Sequence, residues 1–371
     1  MVLNGREFMK KFLTLAVAAA VLSATVSALT FKVDGYARAG LTSTLNTKNK
    51  DGDKEAKTVS TKQWLAGDYF GGGSRLRLNG DILSDDGTAG VKFRFQYTGS
   101  FEDFDITKDE VKYVYAWGKG FDGKVIAGAG KIGDKYISSD GWEGFSLIDG
   151  KTGVFAGYTP IEGLTLLAAV VKDYLVEEEI VERDDDGTYK NKKEKKFDKR
   201  AGVYGFKYSA GILTVDAAFS GAGRFYANVN LTPSNLLAAL EYAYESDDAL
   251  DDGTSPWYSK THTFCEQIEF TGIPNLLLAA ESYQFIDKDD NLSVTITPAA
   301  KYTLSETFAL TAEATIYAED EAKNDFDAYA TIVPGVEINF TDSFTVNAYG
   351  SVSTDSDQAA HLIGIGCKKS F

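Results

Sequence analysis

Residues that staple, ligate or catalyse are scarce in this chain of 371 residues, which has two cysteines, two histidines, two methionines and six prolines. Cys265 and Cys367 lie far apart on runs that are not neighbours. That spacing argues against a disulfide framework and offers no zinc site. His262 and His361 stand in no nucleophile motif, so no catalytic triad can be assembled and no catalysis is expected. Positive charge is also short. The formal net charge is −16 at pH 7, which makes a poor nucleic-acid binder, since phosphate contacts need local positive charge. Beyond the first thirty residues there is no run of about 18 apolar residues, which excludes a membrane-spanning helix. Helical periodicity is nearly absent from Phe31 to Phe371.

Glycine (36), tyrosine (20) and phenylalanine (23) are plentiful. From Met9 the chain reads MKKFLTLAVAAAVLSATVSA, two lysines, an apolar run and small residues before a cut after Ala28. That pattern predicts a secretory signal peptide over 1–28, with Met9 as the true start, and a single domain over 29–371. Losing Arg6, Lys10, Lys11 and Glu7 makes the remainder more acidic still.

After the leader, runs of about ten residues alternate in character and end in turns. In one run Phe308, Leu310, Ala312, Ala314 and Ile316 share a face opposite Thr311, Glu313, Thr315 and Tyr317. Phe344, Val346, Ala348 and Val352 oppose Thr345, Asn347, Tyr349 and Ser351; Leu240, Tyr242 and Tyr244 oppose Glu241 and Glu245. Connections alternate between long and short. The long ones are 46–72, 99–109, 132–150, 174–197 and 246–259; the short ones include SDDGT, GKG at 118–120, TPIEG, SAG, TPSN, GIPN, TLSE and TDS. SGAG at 220–223 is short where a long one is due.

Two rims facing different places explain that alternation, as in an up-and-down transmembrane barrel with short periplasmic turns and longer external loops. The expectation is an all-β, antiparallel barrel of about 18 strands, or else about 16. Its last run, HLIGIGCKKSF, pairs with the first, FKVDGYARAG, because an open edge is untenable in hydrocarbon. The charges of SRLRLNGDILSDDGTAGVKFRFQYT then face a water-filled lumen and its apolar residues face lipid. No packed apolar interior is expected. Tyr113, Tyr115 and Trp117, like Tyr242 and Tyr244, read as interfacial girdle residues, and the two histidines as solvated rim residues. In the charged connection, EEEIVERDDDG and KNKKEKK are expected to neutralise each other. No metal site or cofactor is predicted, because the acidic runs lack calcium-loop spacing.

GYARAG at 35–40, SRLRL, VKFRFQY and the terminal Phe371 resemble the porins of Gram-negative outer membranes. The likeness is to a divergent member, with a spirochaete as the suspected source, and Lys369 stands where that family's end signal has an aromatic. The resemblance implies an outer-membrane diffusion channel for small hydrophilic solutes and ions, a homotrimer, and recognition of the strand ending at Phe371 by the barrel-insertion machinery. It implies further that the third external loop folds into the lumen. The acidic residues of that loop, Asp134, Asp140, Glu143 and Asp149, would then face a basic wall of Arg38, Arg75, Arg77, Lys92 and Arg94. The alternative is a surface-exposed adhesin or structural protein that uses the barrel as an anchor in the outer membrane of a diderm bacterium.

Overall fold

The computed structural model describes residues 29–46, 59–60, 75–98, 111–133, 146–183, 189–245, 260–287, 291–321, 325–354 and 361–371. The leader and the three loop carboxylates Asp134, Asp140 and Glu143 lie outside the described residues. Every described element is a strand: β1 (Leu29–Asn46), β2 (Val59–Ser60), β3 (Arg75–Ser84), β4 (Ala89–Thr98), β5 (Val111–Gly120), β6 (Val125–Lys131), β7 (Thr152–Ile161), β8 (Leu164–Arg183), β9 (Tyr189–Ala210) and β10 (Leu213–Ser220). The second half holds β11 (Arg224–Leu231), β12 (Leu236–Glu245), β13 (Lys260–Ile273), β14 (Leu276–Asp287), β15 (Leu292–Thr303), β16 (Phe308–Glu321), β17 (Asp325–Thr341), β18 (Phe344–Ser353) and β19 (His361–Ser370).

Each strand from β3 to β19 pairs antiparallel with its successor, and β1 closes the ring by pairing with both β3 and β19. The two-residue β2 only extends the β1 edge, at Ser43 and Thr42. The result is a closed barrel of 18 long strands. Closure satisfies the N–H and C=O groups of both would-be edge strands. Phe371 completes the seam by exchanging two backbone hydrogen bonds with Gly35, each 3.1 Å long.

Period-2 alternation assigns the faces, because successive side chains leave a strand on opposite sides. Leu240 (49% exposed), Ile316, Ile332, Ile363 and Ile365 all point out. Their sequence neighbours Glu241, Thr315, Thr331, Gly364 and Gly366 point in, consistent with the register through β12–β19. Tight turns hold the short rim where the sequence offers residues that tolerate a left-handed backbone: Asn275 at φ 64°, Gly163 at 79° and Gly211 at 58°.

At the level of the fold the structure corrects three expectations. The turn after β5 is not GKG at 118–120, which completes the strand; it is 121–124, where Phe121, Asp122 and Gly123 all take positive φ. The span 174–197 is not a long connection, because β8 and β9 run on as a two-stranded ribbon and leave only 184–188 between them. Their register sets Glu177, Glu178, Glu179 and Glu182 opposite Lys196, Lys195, Lys193 and Lys190. Opposite charges across a ladder favour pairing, which explains why so charged a segment is strand. Nor is the interior free of apolar packing, as the lumen shows.

Candidate functional site

The register gathers the five cationic residues onto one wall. Arg38 pairs with Arg75, Tyr36 with Arg77, Asn79 with Arg94 and Asp81 with Lys92, so all lie on the inner face of β1, β3 and β4. On the other side of β1, Arg38 pairs with Lys368 of β19, which extends the wall by a fourth strand. Like charges placed directly opposite are destabilising. Neutral partners hold them in place. Arg77 Nε donates to Gln96 Oε1 at 2.7 Å, Arg94 Nε to Asn79 Oδ1 at 2.8 Å, and Arg75 Nη1 to the Tyr36 hydroxyl at 3.3 Å. Rings supply the rest. Arg77 and Lys368 sit 5.4 and 5.1 Å from the Tyr36 centroid, and Arg94 sits 4.9 Å from that of Tyr113. Arg75, Arg77 and Arg94 are thus each held by a neutral hydrogen-bond acceptor.

Tyr113, Tyr115 and Trp117 are not girdle residues. Tyr115 pairs with Lys92 and Tyr113 with Arg94, which turns this face of β5 inward. Tyr115 (4% exposed) and Trp117 join Phe155, Leu167, Ala169, Val171 and Val203, the inner faces of β7, β8 and β9. Leu147 and Ile148, from the end of the third long connection, are buried in the same cluster. That end of the loop therefore lies inside the barrel. Backbone bonds from Ile132 N to Lys151 O and from Gly150 N to Ile132 O, both 2.9 Å, close its base. Small residues make the room: a Cβ at Gly128 would collide with the Phe155 ring. Asp149 is exposed in the turn that this segment makes, where its amide donates to Ser146 Oγ at 3.0 Å. The structure thus brings the five cationic residues together and places the loop end in the lumen.

Sequence reasoning missed the acidic arc. On the inner faces of β10–β16 lie Asp216, Glu241, Glu281 and Glu313, each at most 3% exposed. Asp216 pairs with Asn228, whose Nδ2 donates to its Oδ2 at 2.8 Å, and Asn228 pairs in turn with Glu241. Arg224 and Glu245 form an ion pair of 2.5 Å in the arc, and Lys301 of β15 reaches Glu337 of β17 at 2.6 Å. Around the closed ring, β11–β13 lie opposite β1, β3 and β4, within the span of the acidic arc. The lumen therefore has a cationic side, an apolar quadrant and an acidic side. The signal was present for Asp216, Glu241 and Glu313, which occupy the polar phase of an alternating run well inside their strands; Glu281 shares its phase with Leu277, Ala279, Tyr283 and Phe285, so its run gave no such signal. Tyr242 and Tyr244 do face outward, and they surround His262, whose Nδ1 lies 2.9 Å from the Tyr242 hydroxyl. His262 is thus part of an aromatic cluster and not simply a solvated rim residue.

No protein-family profile matches the chain, and no curated protein sequence does. Among solved structures it is similar to a loop-deletion mutant of OmpT, an outer membrane protein of Vibrio cholerae. Identity is 13% and the TM-score 0.48, over 93% of this chain and 100% of that one. It is also similar to a triple mutant of the Rhodopseudomonas blastica porin. Identity there is 14% and the TM-score 0.47, over 92% of this chain and 100% of that one.

Proposed function

We propose that this chain is a channel of a bacterial outer membrane through which small hydrophilic solutes and ions diffuse passively. One observation carries the reading: a closed barrel whose outer face is apolar bears Arg38, Arg75, Arg77 and Arg94 on its inner face. In water the outer face would forfeit roughly 25 cal/mol for each Å² of apolar surface left uncovered, so lipid is its natural cover. Facing lipid, the arginines would cost roughly 2–4 kcal/mol each at mid-membrane, whereas a wet lumen accommodates them. Cations on one arc and carboxylates on the other set a field across the pore. Such a field orients dipolar solutes and penalises apolar ones. Phe371, outward and 56% exposed at the end of the closing strand, is the residue offered to the insertion machinery.

Planar-bilayer recording of the purified protein tests this. Stepwise conductance is expected. A folded barrel that inserts without conducting would sink the channel and leave a membrane anchor for an adhesin.

A further inference from the structure

The outward face of β13 and β14 breaks the apolar rule at mid-strand. Glu266 occupies an outward position between Phe264 and Ile268, paired with Leu240 on one side and Ser282 on the other. Ser282 pairs onward with Ile296, and Gln284 lies one outward position further along β14. Leu240, Ile268 and Ile296 are each more than 40% exposed, so the polar group sits inside a greasy field. The Gln284 amide donates to both Glu266 oxygens, at 3.4 and 3.3 Å, and to Ser282 Oγ at 3.2 Å. A carboxylate can accept about four hydrogen bonds. Among the described residues, Glu266 receives only these long contacts from one amide nitrogen. Next to it stand Tyr242, Phe264 and His262, with ring centroids of 5.0 Å for Tyr242–Phe264 and 6.1 Å for Tyr242–His262.

We infer that this patch is an interface with a second copy of the same chain, related by a two-fold axis along the membrane normal that passes between β13 and β14, in place of the three-fold assembly that the resemblance implies. The inference rests on the outer face being lipid-exposed, as proposed above. In hydrocarbon an under-satisfied carboxylate is costly, and lipid tails offer it no donor. The pairing of Glu266 with Ser282 across neighbouring strands supplies the symmetry. A two-fold between them sets Glu266 of one copy against Ser282 and Gln284 of the other, and the reverse, so each acceptor meets a donor twice over. The flanking tyrosines and phenylalanine are the residue types that anchor interfaces. An apolar patch would be indifferent to lipid or protein; this one has acceptors and donors in a self-complementary arrangement.

The test is native mass spectrometry of the full chain released from lipid nanodiscs. The wild type is expected as a dimer or as multiples of one, and the double variant Glu266→Leu, Gln284→Leu as monomer, with the dimer fraction down about tenfold or more. Heat-modifiable gel mobility reports whether the variant still folds. Independently of that variant, Ile268→Cys in a Cys367→Ser background should be cross-linked between copies by a short bismaleimide, because the axis sets each Ile268 diagonally across the β13–β14 seam from its counterpart. An inserted, conducting wild type that stays monomeric, carries only lipid, assembles as a trimer, or keeps an oligomer unchanged by the double variant overturns the interface and leaves the channel intact. A chain that does not insert at all overturns both readings.

Discussion

Replacing Arg75 and Arg77 together by alanine should leave the barrel folded and shift its ion selectivity towards cations. Both guanidinium groups hydrogen-bond to neutral partners, Tyr36 and Gln96, so the change strips charge without stranding a carboxylate. A monovalent ion passing about 10 Å from one such charge in water feels roughly 0.4 kcal/mol. At about 0.1 M salt the screening length is close to that distance, which leaves roughly 0.15 kcal/mol per arginine. Two arginines act with opposite sign on cation and anion, so the selectivity energy moves by about 0.6 kcal/mol. That corresponds to a roughly threefold rise in the cation-to-anion permeability ratio. At about 1 M salt the screening length falls to roughly 3 Å and the difference should vanish. Reversal potentials across a salt gradient, recorded on single channels at both salt levels, measure it. An unchanged reversal potential at low salt, with conductance intact, would refute the claim that these residues face the ion path.

Neutralising the opposite arc with Glu241→Gln and Glu281→Gln should move selectivity towards anions; a shift in the same direction as the arginine double variant would show that the two arcs do not share a field. Ile148→Ala should cost about 2–5 kcal/mol, because it opens a cavity in the packed quadrant. Urea titration in liposomes should show the loss, and unit conductance should rise as the loop end loosens; if both stay at wild-type values, that segment does not pack in the lumen. Asp86, in the turn between β3 and β4, accepts from Ser84 Oγ at 2.7 Å, Thr88 Oγ1 at 2.8 Å and the Thr88 amide at 3.0 Å, which holds its carboxyl down at about 2 from an ordinary 3.8. Its contribution to stability is therefore full above the ordinary value and fades as pH falls through about 2, so Asp86→Ala should flatten the urea midpoint against pH across that interval; an unaltered acid slope would remove the turn from the account.

Most of the architecture was legible because alternation is a strong local signal. Each outward residue of 308–317 and 344–352 is where period 2 puts it, and the C-terminal run meets the first strand as closure demands. Two failures share a cause. At 118–120 glycine punctuation suggested a turn, but the ladder continues to Gly120 because Val125 and Ile126 are there to pair with it and with Lys119. At 174–197 charge suggested a loop, but the register sets residues of one sign on β8 opposite residues of the other sign on β9. A single strand read alone cannot disclose a partner that makes its composition acceptable.

The same limit explains what was seen and missed in the lumen. The arginines were legible because cations within a short alternating run leave only one sensible face. Tyr113, Tyr115 and Trp117 alternate with Val114 and Ala116, and both phases of that run are compatible with lipid. What decides is the neighbour. Lys92 lies across the ladder from Tyr115 and Arg94 across from Tyr113, and cations that must face water carry the paired rings inward with them. Glu266 reverses the lesson. Its register is fixed on both sides by Leu240 and Ser282, so the carboxylate cannot turn inward without flipping a whole strand, and the burden of satisfying it passes to whatever covers β13 and β14.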